Sequence, residues 1–205
     1  MSALRDPLPA GAVEAGVRAL RAGGIIAIPT DTVYGLAADP FHAGATDRLF
    51  ALKRRPRKVE LPVLVGDDEQ ALSLTVAVPE PARRLMQRFW PGPLTLVLPR
   101  RPDLNADLGE DDATIGVRCP AHPVPLALCG QLGPIATSSA NRHGQPPLTT
   151  AGEVYAEFGE GVDLVIDGGQ CAGTPSTVVD CTGEEPRLLR EGRLAWEDLL
   201  AQAKG

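Results

Sequence analysis

Five short polar clusters in this 205-residue chain each sit at the end of an apolar run, and their residue types suit a small anionic ligand. Thr30-Asp31-Thr32 follows Ile25 to Pro29, and Arg118 closes the run from Thr114 to Val117. Thr137-Ser138-Ser139-Ala140-Asn141 follows Pro134-Ile135-Ala136. Ser176-Thr177 is the fourth cluster, and Arg190 closes Leu188-Leu189. Hydroxyls and amides both donate and accept hydrogen bonds, while an arginine offers a rigid fork to carboxylate or phosphate. Any one cluster is equally a turn or a helix cap. The five together point to one polar binding site mounted on strand ends.

A sixth feature adds charge. Lys53, Arg54, Arg55, Arg57 and Lys58 fill five of six consecutive positions, in a chain of net charge −6 with three lysines in all. That run is either a local anion-attracting patch or a solvated surface turn.

Other chemistries are missing. There is no Gly-x-Gly-x-x-Gly, and the glycines from Gly168 to Gly173 lack the lysine of a phosphate-binding loop. There is no Gly-x-Ser-x-Gly nucleophile turn. His42, His122 and His143 lack metal-like spacing, and Cys119, Cys129, Cys171 and Cys181 form no Cys-x-x-Cys pair. The cysteines read as buried thiols in a reducing compartment. Phosphate binding therefore falls to Arg and Lys side chains.

The elements that carry these groups alternate irregularly. Helices are expected where Val13, Val17 and Leu20 recur before Gly23-Gly24, over 45–53, over 80–89 with Pro81 in the first turn, and over 124–131. Thr150 and Glu153 form a capping box opening a helix over 150–158, and a last amphipathic helix covers Leu194 to Ala203. Strands are expected at Ile25–Ile28, Pro62–Val65, Leu94–Leu98, Thr114–Arg118, Pro134–Thr137, Leu164–Ile166, Ser176–Asp180 and Arg187–Arg190. The pattern predicts an α+β (mixed α/β) fold: a twisted, mostly mixed sheet flanked by helices. With 43% hydrophobic residues and no linker-like stretch, residues 1–205 read as a single domain. No apolar run is long enough to span a membrane and no basic-then-apolar leader opens the chain, so a cytoplasmic protein without membrane association is expected.

Seven motifs in order resemble the YrdC-like threonylcarbamoyl-AMP synthases. They are Pro29-Thr30-Asp31-Thr32-Val33-Tyr34-Gly35-Leu36, Lys53-Arg54-Arg55-Pro56, Trp90-Pro91-Gly92-Pro93-Leu94-Thr95, Arg118-Cys119-Pro120-Ala121-His122-Pro123, Ser139-Ala140-Asn141, Ser176-Thr177-Val178 and Arg190-Glu191-Gly192. The resemblance spans about residues 10–192. It implies a nucleotidyltransferase that joins L-threonine, bicarbonate or CO2, and ATP into threonylcarbamoyl-AMP and pyrophosphate, for tRNA threonylcarbamoyladenosine formation by a separate downstream transfer complex. By the same resemblance Thr32, Arg118, Thr137 and Ser176 hold threonine, with Thr30 structural. Lys53, Arg55, Thr114, Ser139, Asn141 and Arg190 hold ATP. Lys53 and Arg55 are the catalytic cations, and magnesium accompanies ATP without dedicated protein ligands.

The chain departs from the family pattern at three places. Arg57 to Pro62 lacks the Asn and His that many relatives carry, Pro146-Pro147 stands where a serine is frequent, and the chain ends soon after Trp196, as in the short form. Two other readings stay open. One is an RNA-binding or ribosome-maturation factor of the same fold, with weak RNA affinity through Lys53 to Lys58. The other is a carbamoyl-adenylate chemistry, as in related domains of hydrogenase-maturation proteins.

Overall fold

The structure, a computed structural model, describes residues 11–204; the first ten residues and Gly205 of the expected 1–205 domain lie outside the described residues. Helices α1 (Ala12–Arg21), α2 (Ala45–Lys53), α3 (Asp68–Leu74), α4 (Glu80–Phe89), α5 (Pro123–Leu132), α6 (Ala151–Phe158) and α7 (Trp196–Lys204) surround one sheet. Its strands are β1 (Ile26–Ile28), β2 (Gly35–Ala38), β3 (Val63–Leu64), β4 (Leu94–Pro99), β5 (Thr114–Arg118), β6 (Ile135–Ser139), β7 (Leu164–Val165), β8 (Thr177–Asp180) and β9 (Arg187–Arg190). They lie in the order β7-β1-β2-β6-β3-β5-β4-β8-β9. The pairs β1–β7, β3–β5 and β4–β8 are parallel and the others antiparallel, so the sheet is mixed as expected.

Two elements were not expected. β2, with the sequence Gly-Leu-Ala-Ala, lacks the β-branched residues that mark a strand. It is a strand because β1 and β6 flank it and every residue is buried. α3 has seven residues, too few for a clear helical period, and its signal is the Asp67 side chain accepting from Gln70 N–H at 2.8 Å. Elsewhere local chemistry and structure agree. Gly23, at φ 76, ends α1, and the Thr150–Glu153 capping box is formed at α6.

Strand periodicity sorts the buried residues onto two faces. Ile26, Ile28, Ala37, Leu64 and Ile135 pack with Val17 and Leu20 of α1 and with Val124 and Leu128 of α5. Ala27, Leu36, Ala38, Val63, Val117 and Ala136 face the larger core, with α2, α4 and α7. Arg118 and Thr137 follow Val117 and Ala136, so they point to the α1/α5 side, beyond the area those helices cover. Among the described residues no helix is long and apolar enough to cross a membrane.

Candidate active site

The β1–β2 loop is organised by Thr30. Its hydroxyl donates to the Val33 carbonyl at 2.7 Å and accepts from the N–H groups of Thr32 and Val33 at 3.1 and 3.2 Å. A hydroxyl has one proton, so the 2.9 Å contact between Thr30 and Thr32 must use the proton of Thr32. Thr32 Oγ1 is thus left as an acceptor, and Arg118 Nη1 donates to it at 3.0 Å. Thr30 organises the loop and Thr32 turns its hydroxyl oxygen to Arg118.

Arg118 closes β5 and is held on three sides. Nε donates to the Gly92 carbonyl at 3.0 Å, Nη1 to Thr32, and Nη2 to Asp31 Oδ1 at 2.5 Å. Both members of that ion pair have side chains 8% exposed. Burial pulls the Arg118 guanidinium below its ordinary pKa while the Asp31 carboxylate opposes that shift. Two of its five N–H groups stay uncommitted.

Neighbouring strands extend this point into a cavity of roughly 290 Å3. In strand order, Gly35 of β2, Thr137 and Ser139 of β6, Leu64 of β3, Arg118 of β5, Thr95 of β4, Ser176 before β8 and Arg190 of β9 line one continuous trough. Ser139 Oγ donates to Asn141 Oδ1 at 2.6 Å. Ser176 accepts from Arg190 Nη2 through its carbonyl at 3.0 Å and its hydroxyl at 3.3 Å, and that hydroxyl lies 2.9 Å from Thr95 Oγ1.

Arg55 enters from the turn after α2. Its Nε and Nη2 donate to the carbonyls of Val59 and Glu60 at 2.7 and 2.8 Å. This is what the altered segment from Arg57 to Pro62 does: its backbone anchors Arg55, and Pro62 adds to the cavity wall. Arg57 turns away and bridges Asp47 at 2.5 Å and Asp107, stacked 4.8 Å over the Phe50 ring. The basic run is therefore divided. Lys53 and Arg55 point inward, Arg57 is neutralised, and Arg54 and Lys58 remain exposed without an ion pair among the described residues.

Two expected site residues stand apart. Thr114 opens β5, four residues and about 13 Å from Arg118 along the strand, and donates to Asp111 Oδ2 at 2.5 Å. It does not line the cavity. Lys53 is 1% exposed and also lies behind the wall, its ammonium donating to the carbonyls of Ser139 and Asn141. Burial, reinforced by Arg55 and Arg142, pulls Lys53 down to about 7. The surrounding oxygens act in the opposite sense, favouring the ammonium.

Thr32, Arg118, Thr137, Ser176, Arg55, Ser139, Asn141 and Arg190 are brought together. Thr95 and Gln145 also line the cavity, and sequence reasoning had not singled them out. Thr95 was visible as the last residue of the Trp-Pro-Gly-Pro-Leu-Thr motif, whereas nothing local marks Gln145.

A family model named Sua5/YciO/YrdC, described as telomere recombination, matches residues 18–192. The chain belongs to the Sua5/YciO/YrdC family. A Mycobacterium tuberculosis relative of the family is 41% identical over 188 residues, covering 90% of this chain and 86% of that protein. The Bacillus subtilis threonylcarbamoyl-AMP synthase is 40% identical over 185 residues, covering 89% of this chain and 54% of that enzyme. The structure of Pyrococcus abyssi Sua5 complexed with L-threonine superposes with a TM-score of 0.84 at 38% identity, covering 93% of this chain and 56% of that one. The chain thus spans about half the length of these last two family members.

Proposed function

We propose that this chain is an L-threonylcarbamoyladenylate synthase, making threonylcarbamoyl-AMP and pyrophosphate from L-threonine, bicarbonate or CO2, and ATP. The observation that carries the reading is a single cavity with two kinds of anion-binding arginine. Arg118 is paired with Asp31 and lies beside Thr32, while Arg55, beside Ser138, and Arg190, bonded to Ser176, make no ion pair among the described residues. The 41% identical relative and the family membership support it.

In this reading Arg118 takes the threonine carboxylate with its two free N–H groups, and Thr32, Thr137 and Ser176 take the hydroxyl and amine. The threonine ammonium loses one proton to solvent, its nitrogen adds to CO2, and a second proton leaves to solvent to give a carbamate. A carbamate oxygen attacks the α-phosphorus of ATP, the bond to the β-phosphate oxygen breaks, and pyrophosphate leaves. Arg55 and Arg190 face the negative charge that builds on the leaving group. No histidine or cysteine lines the cavity, so the protein contributes positioning and electrostatics. Lys53 acts through Ser139 and Asn141.

The residues present do not fit a resident cation. Hydroxyls, amides and arginines form the donor set, and among the described residues no group of three His, Cys, Asp or Glu is placed to hold a metal. Magnesium would arrive with the ATP triphosphate as part of the substrate. A cytoplasmic setting and a downstream complex that transfers the threonylcarbamoyl group to tRNA go with this reading. Weak RNA binding through the basic run is disfavoured, because only Arg54 and Lys58 of that run stay exposed and unpaired.

The test is pyrophosphate release from the purified chain with threonine, bicarbonate and ATP-magnesium. Release that needs every component supports the proposal; release indifferent to threonine overturns it.

A further inference from the structure

The carboxylate of Asp31 lies behind Arg118 in a costly arrangement. Asp31 is 9% exposed, its Oδ1 meets Arg118 Nη2 at 2.5 Å, and its Oδ2 is buried with no hydrogen-bond partner among the described residues. A carboxylate built only to stabilise the fold would use both oxygens, because a buried unpaired oxygen is destabilising. Here the fork is split instead. Nη2 goes to Asp31 and Nη1 to Thr32, so the plane of the guanidinium is fixed towards the loop. The other cation that reaches Asp31, Arg193, donates to its backbone carbonyl at 2.8 Å and leaves the carboxylate alone.

The other two arginines of the cavity are treated differently. Arg55 is held by carbonyls of Val59 and Glu60, with the Glu60 carboxylate attracting it from further off, and Arg190 by the Ser176 carbonyl and hydroxyl. Neither makes an ion pair among the described residues. A neutral carbonyl fixes a guanidinium without cancelling its charge, whereas a carboxylate at 2.5 Å cancels most of it. The cavity therefore has one neutralised arginine and two unneutralised ones.

We propose that Asp31 is a specificity-determining residue: by neutralising Arg118 it reserves that arginine for a zwitterionic amino acid and confines polyphosphate to Arg55 and Arg190. The inference rests on the proposed synthase reading. A zwitterion brings a cation with its carboxylate, so it tolerates the Asp31 charge, while a bare phosphate or pyrophosphate is repelled by it. With Asp31 neutral, the cavity would hold three unneutralised arginines, and pyrophosphate could settle on Arg118 in place of threonine. Asp31 does not line the cavity and acts through Arg118.

The experiment is isothermal titration calorimetry, which needs no turnover. In the natural chain, the threonine dissociation constant should change less than twofold when inorganic pyrophosphate is saturating. In Asp31→Asn, pyrophosphate should bind at least tenfold tighter and compete with threonine. Asp31→Glu, which keeps the charge, should restore independent binding. Asp31→Ser serves as a second neutral variant if Asp31→Asn does not fold, melting curves being recorded for each. A purely structural role for Asp31 would weaken both ligands and leave them independent, which overturns the proposal. Competition already present in the natural chain overturns it without any variant. No threonine binding by the natural chain overturns the synthase reading, and this inference with it. Threonine binding with unchanged pyrophosphate behaviour in the neutral variants overturns this inference alone.

Discussion

The ammonium of Lys53 lies 2.5 Å from the carbonyl oxygen of Ser139, the residue at the end of β6 that lines the cavity. It also donates to the Asn141 carbonyl at 2.6 Å, and the Lys53 carbonyl accepts from His143 N–H at 2.9 Å. Arg142 Nη1 meanwhile donates to the Leu52 carbonyl. The last turn of α2 is thus stitched to the loop after β6, and the Lys53 ammonium is the buried one of these ties.

Replacing Lys53 by Met should therefore act on both stability and nucleotide binding. The Ser139 and Asn141 carbonyls would lose a buried donor, a destabilisation of about 1–3 kcal/mol. The KM for ATP should rise more than the KM for threonine, since Ser139 and Asn141 lie beyond the Arg118 end. A variant with normal melting and normal KM for ATP would contradict the positioning role.

Lys53 also predicts a pH dependence. In the folded chain burial brings it to about 7, against an ordinary value of 10.5. Between those values the unfolded chain binds more protons, so stability should rise as pH increases from about 7 towards 10. Thermal melts of the natural chain and of Lys53→Met across that range check it: the natural chain should gain more. Parallel curves would show that the surrounding oxygens keep Lys53 near its ordinary value.

Gly192 presses on the other end of the cavity. A Cβ there would come within 2.4 Å of the Pro175 carbonyl oxygen and 2.5 Å of the Ser176 carbonyl. Neither backbone group can yield without moving Ser176, to which Arg190 is bonded. Gly192→Ala should cost about 1–3 kcal/mol of stability by overpacking, and raise the KM of both substrates. Steady-state kinetics with a melting curve would test this, and an unchanged KM for both would refute it.

Much of this arrangement was legible in the sequence, and the exceptions have physical causes. Strands rich in Ile, Val and Leu, such as β4, announce themselves by composition. β2 does not, because Gly35, Ala37 and Ala38 are small: a Cβ on Gly35 would sit 2.8 Å from Thr137 Cγ2. Ordered motifs pointed to Arg55, Arg118, Ser176 and Arg190, which all reach the cavity. Motif membership said nothing about which way a side chain faces, so Lys53 and Thr114, expected at the ligand, lie behind the cavity wall and beyond it. Asp31 stood within the first motif, but its pairing with Arg118, 87 positions away, exists only once β1 and β5 are in one sheet.

The exposed remainder of the basic run sets a limit on nucleic-acid affinity. Only Arg54 and Lys58 are free, so contact with single-stranded RNA would release about two counterions and give a log–log salt slope of about −1.4 from this run. Filter binding over a salt series measures it. A slope several times steeper would mean that other surfaces, not this run, hold RNA.

Thr95 is the cavity residue whose contribution can be isolated most cleanly. Its hydroxyl lies 2.9 Å from Ser176 Oγ, which in turn accepts from Arg190. Either hydroxyl can donate in that contact, so Thr95 and Arg190 together hold the Ser176 hydroxyl in place. Thr95→Val keeps the shape and removes that contact, while Thr95→Ser keeps the contact and removes a methyl. Loss of one neutral hydrogen bond is worth about 0.5–1.5 kcal/mol, or about 2- to 12-fold in binding. The KM for threonine should therefore rise by that factor in Thr95→Val and stay near the natural value in Thr95→Ser, with kcat little changed. If the two variants behaved alike, the methyl rather than the hydroxyl would be what Thr95 contributes, and Ser176 would be oriented by Arg190 alone.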